Sequence, residues 1–554
     1  MIDSRSSRRC LLDRTHLTQL ATFVLANTAL VTGLYGIHGV SVLSRFPESP
    51  SASVAATFAG LAIAGPLVWF VALSAIIALL LHRFRTAFVG VIAFGAALSL
   101  VSCWFDTRLH GLLGVHLYSP LTFETLTNPG ANREIRLDAG FLATIAAGLV
   151  IVVALEVGVW KASARLGRRA FGGLAVGMFS LLLATSATAM WGGQNHTASL
   201  VDRRLLAALP AWEMFAGTPP YDPARVRIDY PVGVDAQVEL TRRPDILFIA
   251  AESLRADMFT FEMMPRLKAL SAELGCQVAP AHHSVGHTTE YGTFGLLYGL
   301  DSYHYEPFLA ADVASWPLTV LRHNGYRLMG ASASALADWK GAGFMTRQFD
   351  EYVERVDETR FETDAEVAAE AKRMLRIEHA GSRFVFLFLN ATHHNYLYPP
   401  RHARFEPALP SDYDHFGGDE ALGRYKTELF NRYKNAVGYV DELVVTLLED
   451  QHERIASGEL VVVVTGDHGE EFWEHGMMGH AAPEFVDERV QVPMVLCGLG
   501  DSNAIRGVSS HADIWPTVLH PLGVTAPSAA FSSGRDLFSE AASLVITGGI
   551  DFPY

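Results

Sequence analysis

The sequence predicts a five-helix transmembrane domain followed by an α/β domain built on a mostly parallel central sheet. Three observations carry this expectation. At 554 residues the chain is too long for one ordinary core. Mean hydropathy is +0.21, with 50% hydrophobic and only 18% charged residues, and the apolar excess crowds into the first 191 positions. From Arg243 onward, short apolar runs alternate instead with amphipathic stretches.

Five apolar stretches reach the roughly 20 residues that a helix needs to cross a bilayer: about 17–43, 54–81, 87–105, 139–160 and 171–191. The first is long, more follow it, and no small-residue cleavage site stands behind a short apolar region, so a removable signal peptide is not expected. Charge sets the orientation. Arg5, Arg8, Arg9, Arg14, Arg83, Arg85, Lys161, Arg165, Arg168 and Arg169 fall on one side, against Arg45, Arg108, Arg133 and Arg136 on the other. Basic loops stay inside. The N-terminus is therefore expected in the cytoplasm, and an odd number of spans puts everything after Trp191 outside it. The domains divide as 1–191 (membrane), 192–243 (juxtamembrane linker) and 244–554 (extracytoplasmic domain).

Two features of the membrane half stay open. The segment 106–138, with its aromatics, leucines and histidines, reads either as an interfacial amphipathic stretch or as a folded outer loop. Arg203 and Arg204 read either as contacts to anionic headgroups or as a solvated charge pair.

In the soluble half, DILFIAA (245–251), YRLMGAS, RFVFLFLNA, LVVVVTG and VPMVLCG read as buried strands. MMPRLKALSAEL and 418–452, with Leu422, Tyr425, Leu429 and Tyr433 at helical spacing, read as helices. Such alternation gives a sheet covered on both faces, with chemistry collected at the C-terminal strand ends. The net charge of -15 argues against a nucleic-acid partner. Of four cysteines only Cys276 and Cys497 lie in this half, and they read as two buried thiols rather than a disulfide framework or a zinc site.

The strand exits supply the candidate site. Strand one ends in Ala251-Glu252-Ser253, and a carboxylate there can ligate a metal. Four valines lead into Thr465-Gly466-Asp467-His468-Gly469-Glu470, where adjacent Asp and His offer one oxygen and one nitrogen to a single point. The run from Ser284 to Gly292 reads as a loop entering a helix near Thr288. A hydroxyl at that place sits where the helix dipole favours an anion, and either Thr288 or Thr289 equally suits a simple cap. Asn390-Ala391-Thr392-His393-His394 closes another strand, and His475 and His480 follow the Asp-His pair. Histidines there can bind a phosphate or protonate a leaving group.

In this order the residues resemble the sulfatase-like branch of the alkaline phosphatase superfamily, and more closely its membrane-anchored members. These are lipoteichoic acid synthase, the osmoregulated-glucan phosphoglycerol transferases and the lipid A phosphoethanolamine transferases. Ser510-His511-Ala512-Asp513-Ile514-Trp515-Pro516-Thr517 fits the same superfamily. Phe105-Asp106-Thr107-Arg108 through Val115-His116-Leu117, and HTTEYGTFGLLYGL, resemble stretches of the YejM-type inner-membrane proteins. The chain departs from those at Glu252-Ser253, where they tend to carry Asp-Gly. The resemblance implies an alkaline-phosphatase-like fold and metal ligands Glu252, Thr288, Asp467 and His468, with Thr288 as nucleophile because it aligns with the family threonine. It also implies that His394 and His480 face the substrate phosphate or leaving group. No C/S-x-P-x-R stretch is present, which disfavours sulfate ester hydrolysis, and two cysteines argue against the disulfide-rich phosphoethanolamine group.

The expected activity is metal-dependent transfer of a phospho-headgroup, phosphoglycerol or similar, from a membrane lipid to an envelope glycan or lipid acceptor through a threonine-linked intermediate. One divalent ion, Mn or Zn before Mg, suits the ligand set. The expected location is a bacterial inner membrane. Two alternatives use the same chain: a phosphatase or phosphodiesterase with water as acceptor, and a non-catalytic lipid-sensing regulator of envelope synthesis.

Overall fold

The computed structural model describes residues 14–43, 52–81, 85–113 and 139–165 of the membrane half, most of 237–539, and a few scattered positions. The chain divides into two units, one of residues 1–123 and 136–220, the other of 124–135 and 221–554.

The first unit holds helices α1 (Arg14–Leu43), α2 (Ala52–Leu81), α3 (Arg85–Leu113) and α4 (Ala139–Ser163). Each contains a stretch long and apolar enough to cross a membrane: Leu17–Leu43, Val54–Ala78, Ala87–Arg108 and Ile145–Ser163. These match the first four expected spans. The fifth, 171–191, lies outside the described residues, as do Arg203, Arg204 and nearly all of the 106–138 segment beyond Leu117. Aromatic rings knit the bundle, with Trp160 edge-on to Phe23 and Phe88 at 5.5 and 5.7 Å. Asn27 donates to Glu156 across 3.0 Å between α1 and α4, both side chains buried.

The second unit is built on seven strands: β1 (Asp245–Ala251), β2 (Gln277–Val278), β3 (Arg327–Ser332), β4 (Glu351–Glu354), β5 (Arg383–Leu389), β6 (Leu460–Gly466) and β7 (Met494–Cys497). Their order across the sheet is β2-β7-β6-β1-β5-β3-β4. The five strands from β6 to β4 run parallel, and β7 is antiparallel to both neighbours. The central strands are buried on both faces, which is why they read as unbroken apolar runs. Side chains alternate across the pleat. Leu247, Ile249 and Ala251 face one core layer, packed under α5 (Pro265–Glu273), α8 (Glu362–Met374) and α9 (Lys426–Glu449). Ile246, Phe248 and Ala250 face the other, under α6 (Thr289–Tyr298), α7 (Trp316–His323) and α10 (Ile514–Leu519).

Cys276 and Cys497 form a disulfide, contrary to the expectation of two thiols, with Cα atoms 4.4 Å apart. The pairing is a consequence of topology. Cys497 ends β7, Cys276 immediately precedes β2, and those strands are antiparallel neighbours at the sheet edge.

Candidate active site

Register brings the site together. Ala251 at the end of β1 pairs with Leu389 of β5 and with Gly466 of β6. Three adjacent parallel strands therefore end level, and the next residues of each chain segment, Glu252, Asn390 and Asp467, emerge on one edge. Backbone bonds continue the alignment: Glu252 N–H donates to Leu389 O at 2.8 Å.

Asp467 is held by its own turn. Its Oδ1 accepts from the backbone N–H of Ser253 (3.0 Å) and of His468 (2.7 Å). Its Oδ2 is buried with no hydrogen-bond partner. His468 donates from Nδ1 to Gly469 O at 2.8 Å, which directs Nε2 the other way. That nitrogen lies 3.3 Å from Glu252 Oε1 and 3.4 Å from Asp467 Oδ2. Glu252 Oε2 is likewise buried without a partner. Ser253 adopts a left-handed φ of 58°, uncommon for a residue with a Cβ and a mark of backbone over-determined by its surroundings. Tyr433 donates to Ser253 O at 2.8 Å and accepts from Arg255 N–H at 3.0 Å, fixing that turn.

Thr289, the first residue of α6, donates its hydroxyl proton to Glu252 Oε1 at 2.6 Å and lies 3.5 Å from His468 Nε2. Thr288 occupies the N-cap position, makes no capping bond, and its buried hydroxyl has no hydrogen-bond partner. The threonine in hydrogen-bond reach of Glu252 is thus Thr289 rather than Thr288. The difference is one residue of helix phase, and sequence places helix starts no better than that. Gly292 lets α6 come this close, because a Cβ there would lie 2.2 Å from Asp467 O. Gly466 and Gly469 serve close approach in the same way, to Leu254 O and Glu488 O.

His480 completes the cluster. Glu252, His468 and His480 each offer a ligand atom within 4.8 Å of the others. A hairpin pairing Glu471–Phe472 with Met478–Gly479 delivers it, and Glu470 Oε2 holds its Nδ1 at 3.1 Å. His394 bonds to His393 through Nδ1 and Nε2 at 2.9 Å, and His393 stacks 5.6 Å from His480. Among the described residues, Glu252, Asp467, His468 and His480 of the expected set converge, with Thr289 beside them and His394 one imidazole away. Sequence reading passed over Glu470, whose only signal was its place directly after Asp-His-Gly. His475 turns outward to Glu488 at 3.0 Å.

Burial pushes Asp467 up, and the neighbouring Glu252 charge adds to it. Burial acts on Glu252 too, but His393 and His468 override it and hold that carboxyl low. His468 is held above the usual imidazole range, against burial, by Asp467 and Glu252. Two buried carboxylates with one unpartnered oxygen each, facing an imidazole nitrogen, fit a divalent cation of the Zn or Mn type. Glu252 Oε2, Asp467 Oδ2 and His468 Nε2 are the atoms that would hold it.

The sulfatase profile matches residues 244–524, just over half of the chain. The chain belongs to the sulfatase family. Its fold is that of the alkaline phosphatase superfamily, which contains phosphotransferases and hydrolases, here joined to membrane-spanning helices. The inner membrane protein YejM of Salmonella typhimurium is 23% identical over 488 residues, covering 83% of this chain and 74% of its own length. An uncharacterized protein of Haemophilus influenzae is 24% identical over 320 residues, 56% of this chain, and this chain spans only 46% of that protein. Among solved structures, the integral membrane lipooligosaccharide phosphoethanolamine transferase A (EptA) of Neisseria meningitidis superposes with a TM-score of 0.61 at 16% identity, covering 95% of this chain and 99% of its own. That likeness extends through both units of this chain.

Proposed function

We propose that this membrane-anchored sulfatase-family protein transfers a phospho-headgroup, phosphoglycerol or similar, from a membrane lipid to an envelope acceptor, with Thr289 as nucleophile. The observation that carries the reading is the 2.6 Å bond from Thr289 to Glu252 at the mouth of three parallel strands. Glu252 Oε1 takes the hydroxyl proton as Thr289 Oγ1 attacks phosphorus. The P–O bond to the lipid glycerol breaks, diacylglycerol leaves, and a headgroup-phosphoryl-threonine remains. A divalent cation on Glu252, Asp467 and His468 would lower the pKa of the threonine hydroxyl and offset charge on the phosphoryl oxygens. His480, oriented by Glu470, gives its proton to the departing oxygen and takes one from the acceptor hydroxyl in the second step. His394, behind His393, steadies the phosphate side of the site.

The domain works outside the cytoplasm, on the expected orientation of the spans. The Cys276–Cys497 disulfide supports that compartment, since such bonds persist where thiols are oxidised. The relatives support lipid-linked chemistry: EptA, by its name, acts on lipooligosaccharide with phosphoethanolamine, and one relative at 24% identity over 178 residues is a Kdo(2)-lipid A phosphoethanolamine transferase. Mass spectrometry of the protein incubated with phospholipid vesicles tests the proposal. The expected result is a headgroup-phosphate adduct on the peptide containing Thr289, and no adduct alongside measured turnover overturns it.

A second reading, a lipid-sensing regulator without turnover, rests on the resemblance of Phe105–Arg108, Val115–Leu117 and HTTEYGTFGLLYGL to the YejM-type inner-membrane proteins. Metal content separates the two. A purified chain that binds no stoichiometric divalent ion at Glu252, Asp467 and His468 supports the regulator.

A further inference from the structure

The hairpin that delivers His480 is pinned from behind by two side chains that the catalytic reading does not use. Its strands, Glu471–Phe472 and Met478–Gly479, set Glu471 opposite Gly479. One residue further along on each side come Glu470 and His480, whose side chains meet at 3.1 Å. Arg489 bonds both members of the rung behind them. Its guanidinium pairs with Glu471 Oε2, and its Nε donates to Gly479 O at 3.1 Å. Glu471 Oε1 accepts the backbone N–H of His475 (2.8 Å) and of Met477 (3.0 Å), so the same carboxylate also fixes the turn. Both side chains are fully buried. Arg489 O accepts from Gly469 N–H at 2.7 Å, which joins this residue to the turn holding Asp467 and His468.

Stability alone does not account for this pair. Taking two charges out of water offsets much of their attraction, and apolar side chains of similar volume often serve a core as well. What the pair supplies is geometry. A guanidinium is a rigid planar fork, and here it reaches both strands of one rung. The hairpin is too short to hold its own register, with two residues in each strand and an exposed tip from Glu474 to Gly476. A slip of one residue turns side chains to the opposite face, which would take His480 off Glu470.

We propose that Arg489, acting through Glu471, is a positioning residue for His480; this rests on the headgroup-transfer reading above. In that reaction the bond from Thr289 Oγ1 to phosphorus forms and the bond from phosphorus to the lipid glycerol oxygen breaks. The departing oxygen takes its proton from His480. The clamp keeps His480 in reach of that oxygen by holding the rung behind it, with Nδ1 on Glu470. Arg489 and Glu471, sealed from solvent, act only through that placement.

The test is single-turnover release of the leaving group by the full chain in detergent. A phospholipid needs a proton on its departing glycerol oxygen, whereas a p-nitrophenyl phosphodiester sheds an aryloxide that departs without one. Glu471→Gln with Arg489→Met removes both charges together, leaves none buried alone, and keeps an acceptor for His475 and Met477 N–H. It should slow diacylglycerol release by about a hundredfold or more and keep nitrophenolate release within the same order of magnitude. Added to His480→Ala, the two substitutions should slow diacylglycerol release no further, because residues that act as one unit are not additive. Arg489→Lys, which keeps the pair charged, guards against a misfolded double variant and should show the same split to a smaller degree. Unchanged diacylglycerol release, equal slowing of both substrates, or a further loss on top of His480→Ala overturns the inference. A parent chain that forms no Thr289 adduct instead overturns the transfer reading, and the clamp's role with it.

Discussion

Thr289 and Glu252 share a 2.6 Å hydrogen bond, while Thr288, one residue earlier, keeps a buried hydroxyl that bonds to nothing. The two threonines make opposite predictions. Thr289→Ala should lower turnover of a lipid or chromogenic phosphodiester by at least about a thousandfold, as expected for loss of a nucleophile. Thr288→Ala should leave turnover within the same order of magnitude. It should also hold or raise stability by about 1 kcal/mol, because it removes a desolvated hydroxyl with no partner. A Thr288→Ala enzyme as dead as Thr289→Ala would restore Thr288 to the role the resemblance first implied.

The proposed choice of Thr289 over Thr288 marks the limit of what the sequence specifies. Valines 461–464 and the run 245–251 announced buried strands because two-faced burial leaves no polar alternation to confuse the pattern. Parallel register then made Glu252, Asp467 and His468 converge with no further information. The choice between adjacent threonines depended on the phase of a helix start, which local sequence does not encode. β4, Glu351-Tyr352-Val353-Glu354, escaped notice because a half-buried edge strand with charged ends has no apolar run. The disulfide was hidden by a separation of 221 residues, since only the antiparallel pairing of β2 and β7 brings its cysteines together.

The disulfide should be measurable. Replacing Cys276 and Cys497 together by Ser should cost about 2–4 kcal/mol in denaturant unfolding of the soluble unit. Because the bond lies on the β2–β7 edge, with Cys497 paired to Val462 of β6 four residues before that strand's exit at Gly466, turnover under native conditions should survive. Equal stability of the double variant and the oxidised parent would show that the thiols do not pair.

Metal removal tests the orphaned oxygens. Chelation should lower the melting temperature, and readdition of Zn or Mn should restore it, since an ion at a thousand times its Kd stabilises by about 4 kcal/mol. Asp467→Asn should shrink that thermal shift, because Oδ2 is lost as an anionic ligand. The amide oxygen can still accept from Ser253 and His468 N–H, so the turn itself should hold. An undiminished shift in Asp467→Asn would remove Asp467 from the ligand set.

Close packing around Asp467 predicts a second route to the same loss. Gly292→Ala would place a methyl 2.2 Å from the Asp467 carbonyl, backbone against helix, with no flexible side chain to yield. Either α6 or the Asp467 turn must shift. The expected result is a destabilisation of about 1–3 kcal/mol, with turnover falling further than stability because Thr289 moves with α6. A Gly292→Ala protein of parental activity would mean that Thr289 need not sit against Glu252.

Asp364 gives a pH signature away from the proposed metal ligands. Its buried carboxyl accepts from the backbone N–H groups of Asn390 (2.6 Å) and Ala391 (3.1 Å), which fixes the exit of β5. Burial outweighs those bonds and pushes the group up to about 7. The folded state therefore keeps a proton that the unfolded chain gives up near its ordinary value of 3.8. Between roughly pH 4 and 7 the native protein binds more protons than the unfolded one, so this group makes stability fall as pH rises, by up to about 1.4 kcal/mol per unit. Below that window the contribution is neutral, and above it the penalty is constant. Asp364→Asn keeps an acceptor for both N–H groups and cannot ionise. It should flatten the stability profile across the window and raise stability at pH 7 relative to the parent. Unfolding curves at pH 5, 6 and 7 decide the matter: parallel profiles for the two proteins would mean that Asp364 carries its charge in the folded state.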